Sequence, residues 1–162
     1  MKTRKLVILA MLSAISVAGS AFVSFPAGIA RAYPIQHAVN VITAVIFGPA
    51  AAVLVAFLTA VVRVMTGTGS LLAFPGGMIG ALLAGLLYMK FGKVWIAALG
   101  EVVGTGILAA LIAVPYAKLL MGTEAAALFF MPPFLVSSLS GAILGAVIVR
   151  RLVMSQAKLP LY

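Results

Sequence analysis

The sequence predicts an all-α integral membrane protein: a bundle of six transmembrane helices forming a single membrane domain over 1–162, with both termini cytoplasmic. Three observations lead there. Of the 162 residues, 65% are hydrophobic and 8% charged, and the mean hydropathy is +1.30, more apolar surface than one small soluble core can bury. Runs such as Leu6 to Phe25 and Val94 to Pro115 reach the roughly 20 residues that cross about 30 Å of hydrocarbon. The basic residues stand scattered at the ends of apolar segments, which reads as a topology signal.

Turn residues divide the chain into helices at about Leu6 to Phe25, Ile35 to Phe47, Ala50 to Val64, Pro75 to Met89, Val94 to Pro115 and Ala125 to Val149. Helices are expected because lipid leaves backbone groups no other partner. The first follows Met1 to Lys5 and ends near the small residues Ala18 to Ala21, imitating a secretory signal peptide; it is long enough to span, and cleavage would remove one helix from the bundle. Gly48-Pro49 separates the second helix from the third, Thr66 to Ser70 the third from the fourth, and Phe91-Gly92 the fourth from the fifth. Pro132-Pro133 should kink the last helix or mark its true start. The sequence offers no second domain and no internal repeat.

An even number of crossings puts both termini on one side, together with Lys2, Arg4, Lys5, Lys90, Lys93, Arg150, Arg151 and Lys158; Arg31, Arg63 and Lys118 fall on the other. The positive-inside rule makes the richer side cytoplasmic, and Trp95 beside Lys93 suits an interfacial anchor there. The formal charge of +9 would point to nucleic acid in a soluble protein, but its scattering here argues against a nucleic-acid partner.

Composition also narrows the chemistry. With no cysteine there is no disulfide framework, thiolate metal site or thiol nucleophile. With no aspartate and a single histidine, neither a carboxylate cluster for a metal nor a Ser/His/Asp constellation is available, so an enzyme acting on lipid is excluded. No metal site and no catalytic residue is expected.

The acidic residues are Glu101 and Glu124, and Glu101 interrupts the apolar run Val94 to Pro115. An isolated charge at mid-membrane costs at least about 2.5 to 3.5 kcal/mol, so a function or a partner is expected for it. Glu101 lies roughly 12 Å in from Lys93, and Thr105 is one turn further out. Gln36, His37 and Asn40 occupy the first two turns of the second helix, with Gln36 and Asn40 stacked at i, i+4. Arg63 and the loop Thr66-Gly67-Thr68-Gly69-Ser70 sit at the outer end of the third. The polar groups therefore converge on the outer half of the bundle. For Glu101 the structural reading is an ion pair, most plausibly with Arg63; Arg63 can also simply snorkel to the interface.

The inner half carries small residues at spacing four: Ala10, Ala14 and Ala18 on the first helix, Gly100 with Gly104, and Gly141 with Gly145. Such faces let membrane helices approach closely, and packing within the bundle is their plain reading.

These residues resemble the substrate-binding S components of energy-coupling factor (ECF) vitamin transporters. In that family the first helix carries alanines at this spacing for docking on the coupling subunit. The stretches Ala32-Tyr-Pro-Ile-Gln-His-Ala-Val-Asn40, Gly67-Thr-Gly-Ser-Leu-Leu-Ala-Phe-Pro-Gly76 and Gly100-Glu-Val-Val-Gly-Thr-Gly106 are similar to the ThiW group, associated with uptake of the thiazole precursor of thiamine. The resemblance implies a capture protein in a prokaryotic plasma membrane, working with a transmembrane coupling subunit and two ABC-type ATPases. Its site would lie near the outer surface, closed by the loop Ser24 to Pro34. Energy would come from the partners and no cofactor from this chain, which has no GxxxxGK[ST] phosphate loop; Gly67-Thr-Gly-Ser70 lacks the lysine. That glycine stretch reads as a tight turn, with donors to ligand as the sharper alternative.

Hydroxyethylthiazole calls for a largely apolar or aromatic pocket with a few placed polar groups. Tyr33, Phe74, Tyr116 and Phe129 are candidates to stack on the ring. Gln36, His37, Asn40, Glu101 and Thr105 are candidates for the ring nitrogen and hydroxyl, with Arg63, Thr68 and Ser70 beside them. The rival reading is a stand-alone proton-coupled carrier in which Glu101 alternates between proton and substrate, although the chain lacks the inverted repeat of such carriers.

Overall fold

The computed structural model describes residues 3–28, 30–122 and 127–156. Glu124, Lys2, Lys158 and the expected helix start at Ala125 lie outside the described residues. Helix α1 (Thr3–Phe22) ends three residues before the expected Phe25, and the connection that follows is an antiparallel hairpin of β1 (Phe25–Ala27) and β2 (Ala30–Ala32). Phe25 pairs with Ala32, Pro26 with Arg31 and Ala27 with Ala30, and Gly28 turns the chain with φ +68°. The expected loop Ser24 to Pro34 thus contains a two-stranded ladder that the sequence reading did not anticipate. Pro26 argues against a strand, and the pairing is tolerated because a two-stranded ribbon consists only of edges.

Helices α2 (Pro34–Phe47) and α3 (Pro49–Met65) both begin on proline, where the missing N–H would have no helical partner anyway. Between them Gly48 has φ +85°, donates to Ala44 O at 3.1 Å and accepts from Ala52 N at 3.1 Å, so one glycine closes a helix and opens the next. Helix α4 (Ala73–Phe91) ends on left-handed Gly92. Then α5 (Val94–Val103), a π-helical segment (Gly104–Ala109) and α6 (Ala110–Met121) follow one another in a single helical stretch, Val94–Met121. The fifth helix thus runs past Pro115, where the sequence reading ended it. Apolar helices tolerate internal proline because packing partners re-satisfy the freed backbone groups. Helix α7 (Ala127–Gln156) likewise contains Pro132 and Pro133, so that pair does not mark its start.

Thr3–Phe22, Ala73–Phe91, Val94–Met121 and Phe129–Leu152 are long and apolar enough to cross a membrane, whereas α2 and α3 are shorter apolar helices. The distribution of side chains is that of a membrane protein. Large apolar residues such as Leu86, Leu99, Leu111 and Ile143 are exposed, while the central core is alanine: Ala44, Ala52, Ala56, Ala81, Ala84 and Ala97. Gln36, His37, Asn40, Arg63 and Glu101 are buried inside. Apolar side chains gain nothing by leaving lipid for the bundle interior, so the interior is given to small residues and to polar groups that need partners.

The glycine pairs carry the closest approaches. A Cβ on Gly104 would lie 2.7 Å from Gly80 Cα on α4, and one on Gly141 would lie 2.3 Å from the Pro34 carbonyl oxygen on α2. On α1, Leu9, Ser13, Ser16 and Ser20 are buried, whereas Ala10, Ala14 and Ala18 are exposed on the opposite side. The glycine faces pack within the bundle, and the alanine stripe does not.

Because the atom facing Gly141 is backbone, Gly141→Val must displace α7 from α2. Overpacking of this kind costs about 1–3 kcal/mol, so thermal unfolding in detergent should show a clearly lowered midpoint. An unchanged midpoint would contradict the close α2–α7 contact.

Candidate functional site

A cavity of about 460 Å³ opens between the hairpin, the first turns of α2, the α3–α4 loop, the start of α4, the π segment and α7. Its lining includes Tyr33, Gln36, His37, Arg63, Thr68, Ser70 and Thr105 among the residues singled out from sequence. Its volume falls in the range of small-molecule sites.

One wall is organised by Arg63, which is 2% exposed although it stands two residues from the end of α3. Its guanidinium donates to Gln36 Oε1 through Nη1 and to the Thr68 carbonyl through Nη2 at 3.0 Å, and its Cζ lies 3.8 Å from the centre of the Tyr33 ring. Arg63 therefore does not snorkel. Tyr33 is fixed from its other side, where its backbone N–H donates to Ser137 Oγ on α7 at 2.7 Å. The Gly67–Ser70 stretch is a turn that finishes α3: the N–H groups of Thr68 and Gly69 both donate to Arg63 O, at 2.9 and 3.0 Å, so those two donors are spent on the helix end. The side of the turn facing the site offers Thr68 and Ser70 themselves.

Beneath the cavity lies a second polar layer built on Glu101, which is 0% exposed and the largest fully buried side chain among the described residues. Its Oε1 accepts from His37 Nδ1 at 2.7 Å, from Asn40 Nδ2 at 3.0 Å and from Thr105 Oγ1 at 3.2 Å. Asn40 Nδ2 also donates to Gly77 O at 3.1 Å, and Thr105 Oγ1 to Gly76 O at 2.8 Å, which ties α2 and the π segment to the first turn of α4. Space for this layer comes from Gly80. A Cβ there would lie 2.1 Å from Thr105 Oγ1 and 2.8 Å from both carboxylate oxygens. The carboxylate partner of Glu101 is thus His37 and not Arg63, which overturns the expected pair. The sequence could not separate the two, since both side chains fall on the same half of the bundle. The π segment begins three residues after Glu101 and holds Thr105, a placement common for such bulges, which recur at functional sites.

Several expected positions fall elsewhere. Asn40 and Glu101 are not in the cavity lining and sit below it. Tyr116, half-buried on α6, does not line it either. Phe74 packs against Phe57 with ring centres 5.8 Å apart, and Phe129 is 54% exposed. The aromatic surface comes instead from Phe130 and Phe134 on α7, with Ser137 on the same face. Their spacing of four and three is a helical stripe within the expected helix Ala125 to Val149, and that spacing is the signal that marks them. Arg31 on β2, held to Ser24 Oγ and Ser24 O at 3.1 Å each, is a further lining residue. Among the described residues, no group of three or more His, Cys, Asp or Glu side chains is gathered as for a metal ion. The arrangement suits binding and orienting a small molecule, with an aromatic side, a cationic wall and a rigid polar floor.

Comparison with known proteins places this architecture. The chain is similar to a solved structure described as the S component of a bacterial ECF transporter, with a TM-score of 0.72 over 97% of each chain and 16% sequence identity, and it has the S-component fold. No curated protein matches it. The sequence family described as thiamine-precursor transporter protein (ThiW) matches residues 6–155, and the chain belongs to that family. It is accordingly a membrane transport protein and not an enzyme.

The floor supplies a test of its own. Glu101→Leu leaves His37 and Asn40 without their acceptor, and breaking a buried pair in this way costs about 3–5 kcal/mol. Glu101→Gln keeps an oxygen for them and should cost less, about 1–3 kcal/mol. Melting of the purified variants should rank wild type above Gln and Gln above Leu; equal midpoints for the two variants would show that the acceptor oxygen does not matter.

Proposed function

We propose that the chain is the substrate-capture S component of an ECF-type ABC importer and that it binds a thiamine precursor of the hydroxyethylthiazole type from the extracellular side. A transmembrane coupling subunit and two ABC-type ATPases would supply ATP-driven uptake, with no cofactor held by this chain. In this reading all six helical stretches cross the prokaryotic plasma membrane, α2 and α3 included, with both termini cytoplasmic. The observation that carries the proposal is the cavity itself, roofed by the hairpin and the α3–α4 loop and floored by the Glu101 layer. Phe130, Phe134 and Tyr33 give faces on which a five-membered ring can stack, while His37, Thr105 and Gln36 supply hydrogen-bonding groups.

The first experiment is titration of the purified, detergent-solubilised chain with hydroxyethylthiazole and its derivatives, thiamine, and the aminopyrimidine precursor. Selective binding of a thiazole by the isolated chain supports the reading. Failure to bind any of them removes the substrate assignment.

The exposed Ala10, Ala14 and Ala18 stripe is the proposed docking face for the coupling subunit, separate from the cavity. Ala14→Trp should abolish uptake in cells while leaving ligand affinity within about twofold; equal loss of binding and uptake would contradict the separation. The rival proton-coupled carrier draws on the buried Glu101–His37 pair. Uptake that survives collapse of the proton gradient and stops with loss of the partner ATPases supports the importer, and the reverse pattern supports the carrier.

A further inference from the structure

The charge in the cavity is one-sided. Arg31 and Arg63 both contribute to the lining, and among the described residues the lining contains no carboxylate. The one acidic side chain among the described residues, Glu101, lies outside the lining and is engaged by His37, Asn40 and Thr105. Arg63 is the more demanding of the two cations. It is 2% exposed, and its partners are an amide oxygen, a backbone carbonyl and an aromatic face, all of them uncharged. Its Nε is buried and has no hydrogen-bond partner among the described residues.

A guanidinium held in low dielectric with only neutral partners is incompletely compensated, and a bare buried N–H costs about 1–3 kcal/mol. Arginine also differs from lysine in presenting a planar fork that matches the oxygens of a carboxylate or phosphate. The fork here is fixed beforehand: Gln36 and Thr68 hold Nη1 and Nη2, and Tyr33 lies under the plane. The residue beside Nε is a glycine. A Cβ on Gly69 would lie 3.0 Å from Arg63 Cβ and 3.5 Å from Nε, so the glycine lets the turn pack closely against the Arg63 side chain. Arg31, tethered to Ser24 in the hairpin, adds a second positive charge to the wall and favours entry of negative charge.

We infer that the molecule taken by this cavity is a heteroaromatic carrying an anionic oxygen group, a phosphate monoester or a carboxylate, which serves as the counter-ion of Arg63. The inference rests on the capture reading above and narrows it, because a neutral alcohol leaves the guanidinium without a counter-charge. The ring would lie toward Phe130 and Phe134, and the anionic group toward Arg63 and Thr68. At about 460 Å³ the cavity has room for a five-membered ring and such a substituent together.

The test uses the purified full chain in detergent and isothermal titration with four probes: neutral hydroxyethylthiazole, its phosphate monoester, the analogue in which a carboxylate replaces the alcohol, and inorganic phosphate. One of the two anionic thiazoles should bind about ten- to a hundredfold more tightly than the neutral alcohol, the range for a hydrogen bond to a charged group, and which one does so identifies the anion. Inorganic phosphate alone should bind weakly, since it lacks the ring. In Arg63→Gln the preference should collapse to within about twofold. If that variant does not fold, Gly69→Ala, which presses on Arg63 Cβ and shifts the guanidinium while keeping every charge, should weaken the anionic ligand more than the neutral one.

Equal or tighter binding of the neutral alcohol overturns the inference and leaves the capture reading in place. A preference for the anion that survives in Arg63→Gln, or in Gly69→Ala where that variant is the one measured, overturns the assignment to Arg63. Binding of no thiazole at all overturns both.

Discussion

The buried contact between Glu101 and His37 is the constraint on which the rest of the site depends. A carboxylate inside an apolar bundle is tolerated only with partners that satisfy it, and those partners come from different elements. His37 and Asn40 project from α2 and Thr105 from the π segment, while Asn40 and Thr105 continue to carbonyls at the start of α4. One oxygen thereby fixes the relative depth of three parts of the bundle. Burial of the pair also means that loss of either partner is felt as an uncompensated polar group, which makes the floor of the cavity rigid. In that respect Glu101 acts through His37 and Thr105, which reach the cavity, while it stays outside the lining itself.

Room for this layer is obtained by removing side chains around it. Gly80 faces the carboxylate and Thr105, Gly77 faces the Gln36 amide, and the surrounding core is alanine. Small residues in membrane proteins usually serve close backbone contact, as Gly141 and Gly145 do against α2. On α4 they do something further. They make a backbone surface whose carbonyls at Gly76 and Gly77 become acceptors for buried side chains. The same absence of side chains brings α4 close to α3 and α5 and opens the polar interior between them.

How much of this is visible in the sequence differs by residue and for physical reasons. Glu101, His37 and Arg63 stand out because ionisable residues are rare in apolar runs, and their convergence on one half of the bundle follows from helix rise and the alternation of the helices. The family was legible too, from three polar stretches. Who pairs with whom was not legible. Two side chains on the same half of the bundle, His37 and Arg63, compete for one carboxylate, and only the rotation of α2 and α3 about their axes decides in favour of His37. Prolines mattered at one boundary. Pro115 is a breaker in water-exposed helices, yet here the helix runs on through it, whereas the expected helix Ala125 to Val149 already included Pro132-Pro133, as α7 does. The hairpin was hidden because six strand residues with a proline among them carry almost no periodic signal.

Tyr33 shows how the two halves of the site are joined. It follows β2 directly and precedes Pro34, the first residue of α2, so its backbone belongs to the hairpin exit and its ring to the cavity wall. Its N–H reaches Ser137 on α7 and its ring lies under the Arg63 guanidinium from α3. These contacts bridge the cavity from one side to the other. A hydrogen bond of this kind contributes about 0.5–1.5 kcal/mol and a desolvated cation–π contact about 2 kcal/mol. Those magnitudes hold the hairpin in place and are small enough to be broken within ordinary binding energies. The Glu101 layer below is costlier to disturb, since it involves a buried charge with several partners. The site therefore combines a floor built on a buried carboxylate with a mouth joined to α3 and α7 through Tyr33 and through the packing of the hairpin on α7.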